Sequence, residues 1–100
     1  MAIADLTVVC LGTGSTSLSG VVALVEREIR ASGLASRLNP MSTTMEGELG
    51  DILALVQRIH ERLAAAGYQR ISSSLKIDDR RDRTGPRMDA KVTAVEEKLK

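Results

Sequence analysis

The chain has 100 residues, of which 43% are apolar and 27% charged, so it has the length and composition of one globular domain, residues 1–100. Its net charge of +1 lacks the basic excess of a duplex-binding protein. Tyr68 is its only aromatic residue, which leaves no platform for stacking the bases of a single strand, so we expect no nucleic-acid partner.

The first ten residues, MAIADLTVVC, carry no basic leader, and their apolar run is too short for a signal or membrane segment. Cys10 is the only cysteine, so no internal disulfide can form. We therefore expect a cytoplasmic protein without a membrane partner.

The amino-terminal half predicts a strand, a helix and a hairpin. Residues 3–11 are rich in β-forming residues and end at the turn-forming GTGS. A helical period follows, which Ser15 or Ser17 could cap and Gly33 closes, with Glu26 off its apolar face. Its apolar positions are Leu18, Val21, Val22, Val25 and Ile29. Residues 34–40 and 42–48 both alternate, which predicts two strands joined around Asn39-Pro40-Met41.

The carboxy-terminal half predicts a helix, a strand and a last short helix. The second helix ends at Gly67, and its apolar stripe is Leu49, Ile52, Leu53, Val56, Ile59 and Leu63. Residues 68–79 alternate as a fourth strand, and the charged run IDDRRDR follows at 77–83. Met88, Val92, Val95 and Leu99 mark the last helix.

This order predicts an α+β ferredoxin-like fold, βαββαβ, with a four-stranded antiparallel sheet, two helices on one face and a short C-terminal helix. We expect two split βαβ units that interlock through right-handed crossovers. On this view the first and third strands pair in parallel. In the first strand Ile3 and Val9 point to one face and Leu6 and Val8 to the other. Because both faces carry apolar groups, we expect a homo-oligomer that buries the open face of the sheet.

Few residues suggest chemistry. LGTGSTS resembles a phosphate cradle but lacks the lysine of a P-loop and the third glycine of a dinucleotide fingerprint, so it is either a turn or a loop lining a small-ligand pocket. His60 has no partner with which to hold a metal, and we interpret it as a structural histidine and Cys10 as a core residue. IDDRRDR is either a self-neutralised surface or a ring of ion pairs across a subunit contact. No nucleophile or acid–base set supports catalysis, and we expect no enzyme.

Three separated segments, VVCLGTGSTSLSGVVA, LNPMSTTMEGE and RISSSLKIDDRR, together resemble the small thiamine-binding protein family over most of the chain. The most specific segment is Pro40 to Glu48, which is similar to the family pattern Pro-Met-Gly-Thr, two residues, Glu-Gly-Glu. Two positions depart from that pattern, since Cys10 stands where the family usually has proline and Ser42 where it has glycine.

The resemblance implies a ferredoxin-like protein, assembled as a homotetramer that is a dimer of dimers, which binds thiamine or its hydroxymethylpyrimidine part as its ligand and needs no cofactor or metal. It does not imply catalysis. The alternative is a structural or regulatory oligomer that binds no vitamin. A small enzyme acting on a pyrimidine is a third interpretation.

Glu46 is the carboxylate that we single out as the candidate ligand contact, since thiamine has an aminopyrimidine that a carboxylate can hold. We expect it at a strand end beside the Gly12–Ser17 loop. The hydroxyls of Thr13, Ser17, Thr43 and Thr44 are further candidate contacts. The competing interpretation is a structural carboxylate that accepts hydrogen bonds from neighbouring amides.

Overall fold

The computed structural model describes residues 1–100 and contains four strands and three helices. In chain order they are β1 Ala2–Cys10, α1 Ser19–Ser32, β2 Ala35–Leu38, β3 Thr43–Gly47, α2 Leu49–Ala65, β4 Ile71–Asp79 and α3 Met88–Lys98. The predicted ferredoxin-like order βαββαβ with an added carboxy-terminal helix is confirmed. No helix is both long and apolar enough to span a bilayer.

The sheet has the strand order β2-β3-β1-β4, and every neighbouring pair is antiparallel. The antiparallel sheet is therefore confirmed, whereas the parallel pairing of the first and third strands is wrong. Helix α1 carries the chain back to the end of the sheet at which β1 began, so β2 runs parallel to β1. The tight hairpin then reverses the chain and inserts β3 between them, antiparallel to both.

The core lies between the sheet and two helices, α1 and α2. Alternate residues of β1 point into it, and α2 contributes side chains spaced three and four apart, as an amphipathic helix must. On α2 the predicted stripe is wrong at Leu53, which is 48% exposed, and Leu55 is buried instead; Leu49 is only half-buried. The core consists of Ala2, Ala4, Leu6, Val8, Cys10, Val21, Val25, Ile29, Met45, Ile52, Leu55, Ile59 and Leu63.

The two ends of α1 differ in how well they were predicted. Gly33 ends the helix with φ +78, a left-handed conformation that favours glycine. The predicted serine cap is wrong, because Leu18 precedes the helix without a side-chain cap. The serine hydroxyls bond within the loop instead: the Ser17 amide donates to Ser15 Oγ at 3.1 Å, and the Ser17 and Ser19 hydroxyls lie 3.2 Å apart.

Neither α1 nor α2 packs on the other face of the sheet. The start of α3 contacts this face at the end where β1 begins. Glu46 and Asp78 both lie opposite Ile3 on this face, and both bind the first residues of α3. The rest of α3 buries no residue, and its apolar positions Val92 and Val95 are exposed. A helix with no buried side chain depends on its end contacts or on a second molecule.

The charged run at 77–83 forms ion pairs within the chain. Asp78 binds Arg87 and Lys91, and hydrogen bonds from these two cations hold the pKa of the Asp78 carboxyl below its usual range. Asp82 pairs with Arg80, whose guanidinium lowers the pKa of that carboxyl to about 2. These contacts favour the interpretation as a self-neutralised surface.

Titration of Asp82 followed by carbon-detected NMR is expected to show a midpoint near pH 2, against an ordinary value of 3.8. Because the folded pKa is depressed, the stabilising contribution of this pair is present above the unfolded pKa and is lost as the pH falls towards 2. Arg80→Ala is expected to move the midpoint back towards its ordinary value, since the hydrogen bond from Arg80 is the largest cause of the depressed pKa. Arg81→Ala is the matched control, since Arg81 pairs with Asp79; an equal shift there would contradict the assignment.

Candidate functional site

A pocket opens where β3 stops alongside β1. The pairing of these strands ends at Leu6 and Thr43, so Thr7, Val8 and Val9 have β4 on one side and no strand on the other. The β2–β3 turn bends over this gap. It is closed by a hydrogen bond from the backbone N–H of Asn39 to the backbone carbonyl of Ser42, at 2.8 Å. The short hairpin therefore leaves room for a ligand at the exposed edge of β1.

The pocket has a volume of about 410 Å³, within the range of small-molecule sites. Eight of its thirteen lining residues are hydrophobic, and the polar ones lie mainly on the turn. It is lined by Leu6, Thr7, Val8, Val9, Leu18, Val22, Val25, Leu38, Asn39, Pro40, Met41, Ser42 and Thr43. A pocket of this size, mostly apolar with a few polar groups at one edge, suits a small molecule with an apolar body and polar substituents.

A polar cluster of four side chains, Asp5, Asn39, Ser42 and Thr44, adjoins the pocket. Asp5 Oδ1 accepts hydrogen bonds from the hydroxyls of Ser42 at 2.9 Å and Thr44 at 3.0 Å. Asn39 Nδ2 in turn donates to Thr44 Oγ1 at 2.8 Å and to Ser42 Oγ at 3.4 Å. The cluster is half-buried, and its carboxylate has no cationic side chain within ion-pair distance.

Sequence reasoning found only part of this arrangement. Thr43 lines the pocket and Thr44 belongs to the polar cluster, while a ligand contact at either residue stays a prediction. Asp5 was missed, although a lone carboxylate between apolar residues in the middle of a strand is a signal that could have identified it. Ser42, one of the two departures from the family pattern, supplies one of the two hydroxyls that donate to Asp5.

A second cavity, of about 580 Å³, lies beside the Gly12 loop and is lined by Leu11, Gly12, Thr13 and residues 66–70. Only three of its eight lining residues are hydrophobic. The Thr13 hydroxyl bonds to the Ser15 carbonyl within the loop at 3.3 Å, and Ser17 is exposed. The structure thus separates Thr13 from Thr43, which lines the other pocket, and from Thr44 in the polar cluster that adjoins it.

Glu46 lies far from that loop, so its predicted position is wrong. It stands opposite Ile3, whereas Gly12 follows the other end of β1, roughly 20 Å or more away along an extended strand. The residue is 8% exposed, and its carboxylate accepts hydrogen bonds from the backbone N–H groups of Arg87 at 2.7 Å and Met88 at 2.8 Å. These contacts agree with the interpretation as an amide-bonding carboxylate, and a ligand contact at Glu46 stays a prediction.

Thr43 also forms a buried link between the pocket and α1, because its hydroxyl donates to Glu26 Oε1. The prediction that Glu26 lies off the buried face is wrong: it is 8% exposed, and its other oxygen is 3.8 Å from Arg30. Helical spacing could not reveal this burial, because the partner of the carboxylate comes from a strand seventeen residues away.

Thr43→Val keeps the shape of the side chain but leaves the Glu26 carboxylate without its buried donor. We expect the free energy of unfolding to fall by about 1–3 kcal/mol, the cost of a buried acceptor that loses its partner. Denaturant unfolding measures this change. Thr93→Val on the exposed face of α3 is the matched control, and equal losses in the two variants would show that the Glu26 contact contributes nothing.

The remaining chemical side chains have structural surroundings. Cys10 is 4% exposed within the core, as predicted, and burial raises the pKa of its thiol, which keeps the thiol protonated. His60 is half-buried, with Nε2 at 2.8 Å from Ser73 Oγ, in agreement with the structural role predicted for it. Neither residue lines the pocket beside β1.

Comparison with known proteins gives relatives over nearly the whole chain. The chain is 39% identical over 103 residues to the UPF0045 protein YqgV of Bacillus subtilis, covering 99% of this chain and 98% of that one. It is 40% identical over 100 residues to a UPF0045 protein of Methanothermobacter thermautotrophicus, covering 99% and 100% of the two chains.

Solved structures share the fold. The hypothetical protein MJ1052 of Methanocaldococcus jannaschii superimposes with a TM-score of 0.83 at 30% identity, over 96% of each chain. A Thermotoga maritima protein, provisionally assigned to thiamine biosynthesis or salvage, gives a TM-score of 0.80 at 23% identity over 94% of this chain and 97% of that one, a likeness of fold alone. The family model described as thiamine-binding protein matches residues 4–96. The chain therefore belongs to the thiamine-binding protein family.

Proposed function

We propose that this protein binds thiamine or its hydroxymethylpyrimidine part, without catalysis, in the pocket beside β1. The observation that carries the proposal is the combination of membership in the thiamine-binding protein family with an apolar pocket that has hydrogen-bonding groups along one edge.

The pocket's two kinds of lining match the two parts of such a ligand. Val22, Leu38 and Met41 offer apolar surface for the faces of a pyrimidine ring, and all three are exposed in the single chain. Thr43 and the polar cluster around Asp5 offer hydrogen-bond partners for the polar substituents of the ring. Among the predicted contacts we therefore place Thr43 and Thr44 at the ligand, while Thr13, Ser17 and Glu46 stay predictions for mutagenesis.

We further propose that the protein works in the cytoplasm as a homotetramer, a dimer of dimers. Apolar side chains that the single chain leaves uncovered support assembly: Val92 is 43%, Val95 55% and Leu99 79% exposed on α3. On the open sheet face Ile3 and Val9 are half-buried among polar neighbours. Light scattering at micromolar concentration is expected to give a mass well above the 10.7 kDa of one chain; a single 10.7 kDa species contradicts assembly.

Isothermal titration calorimetry with thiamine, its phosphates and hydroxymethylpyrimidine tests the binding function. We expect saturable binding of at least one of these compounds and no new product after prolonged incubation. An assembled protein that binds none of them would favour the structural or regulatory oligomer, and a converted ligand would favour an enzyme.

A further inference from the structure

The direction of each hydrogen bond in the polar cluster follows from Asp5. An ionised carboxylate only accepts hydrogen bonds, so the hydroxyls of Ser42 and Thr44 must both donate their hydrogen to Asp5 Oδ1. Their oxygens can then only accept from any other neighbour. The amide of Asn39 approaches both oxygens, at 3.4 Å and 2.8 Å, and only its Nδ2 can donate to them.

This chain of donors leaves Asn39 with its carbonyl oxygen free. Nδ2 is held by the two hydroxyl oxygens, so Oδ1 is directed away from them and has no partner within the chain. Asn39 and Ser42 both line the pocket. These two lining residues therefore have only acceptors left for a ligand: Asn39 Oδ1 and the remaining lone pair of Ser42 Oγ.

We propose that the pocket selects heterocycles that donate a hydrogen bond at this edge, such as a 4-aminopyrimidine, and rejects their oxo counterparts. Asn39 makes the contact, and Asp5 is a positioning residue that fixes the direction of the donors. This inference rests on the proposed function, since it specifies what the same pocket recognises. The carboxylate charge acts in the same sense, because no cationic side chain pairs with Asp5 and its field favours the positive end of an N–H group.

The test compares thiamine with oxythiamine, in which an oxo group replaces the exocyclic amine. Calorimetry on the assembled parent protein is expected to show thiamine binding at least about tenfold more tightly, since an oxo group facing Asn39 Oδ1 loses one hydrogen bond and meets an acceptor. The ratio of the two dissociation constants is the readout, because a general loss of folded protein lowers both affinities equally and leaves the ratio unchanged.

Asp5→Asn is expected to bring that ratio towards one. The new amide can donate to Ser42 and Thr44, which frees their hydrogens to turn towards Asn39 or the pocket, so the edge no longer presents acceptors alone. Asp51→Asn is the matched control, an exposed aspartate in the first turn of α2 that should keep the parental ratio. Asn39→Ala removes the contacting oxygen without changing Asp5 and is expected to lower the ratio as well, which tests the proposal even if Asp5→Asn does not fold.

Three outcomes overturn the proposal in distinguishable ways. If the parent binds thiamine and oxythiamine equally well, the pocket has no donor selectivity, although the proposed function stands. If the parent discriminates and both Asp5→Asn and Asn39→Ala keep its ratio, the selectivity arises elsewhere. A parent that binds neither compound contradicts the proposed function together with this inference.

Discussion

Ile59→Ala is expected to lower the free energy of unfolding by about 2–5 kcal/mol, the largest effect on stability that we expect from one substitution. Ile59 is completely buried at the centre of the α2 face that packs on the sheet. The variant loses the transfer free energy of its removed methyl groups and leaves a cavity between close-packed neighbours. Denaturant unfolding at a fixed protein concentration measures the loss without a contribution from dilution of the oligomer.

Leu53→Ala on the same helix is the matched control for this prediction. Leu53 is 48% exposed in the single chain, so its truncation should cost far less. If Ile59→Ala loses less than about 1 kcal/mol, or if the two variants lose the same amount, the described core is wrong.

Glu46→Gln is expected to loosen the start of α3. The carboxylate accepts two backbone N–H groups, from Arg87 and Met88, and hydrogen bonds to a charged group each contribute about 1.5–3 kcal/mol. Because α3 buries no side chain of its own, this loss should appear as local opening. Hydrogen exchange of the α3 amides is expected to accelerate by about tenfold or more, while exchange in α2 stays unchanged.

The same variant decides between the two interpretations of Glu46. Glu48→Gln, two residues further on at an exposed position, is the control for the charge change. Faster exchange in α3 with unaltered thiamine affinity makes Glu46 a structural carboxylate. A loss of affinity of tenfold or more, with the exchange of α3 and the oligomeric state unaltered, would instead put the carboxylate on the ligand.

Local patterns were enough to predict the elements and the fold. The alternation of β1 and the helical stripe of α2 depend on residues within a few positions of one another, and Ile52, Ile59 and Leu63 are buried as their spacing indicates. The serine cap of α1 and the exposure of Glu26 were predicted wrongly, since each depends on which neighbour an isolated polar side chain finds. Such choices are made by tertiary contacts and leave no period in the sequence.

The site was harder to predict, because it is assembled from distant segments. Asp5 meets Ser42 and Thr44 across 37 and 39 residues, through the β1–β3 register. The resemblance to the family pointed to the turn residues around Pro40, which do line the pocket, but their carboxylate partner was sought at Glu46. The register of two paired strands cannot be deduced from the sequence of one of them. The residues of β3 that lie beside Asp5, and the part of β1 that lies beside Glu46, therefore could not be deduced either.

The most direct test of this account is a crystal structure of the protein grown with thiamine. We expect the pyrimidine ring in the pocket between Val22, Leu38 and Met41, with its exocyclic amine within hydrogen-bond distance of Asn39 Oδ1 or Ser42 Oγ. Thiamine bound beside Thr13 and Tyr68, or held by a Glu46 carboxylate released from α3, would contradict the assignment of the pocket beside β1.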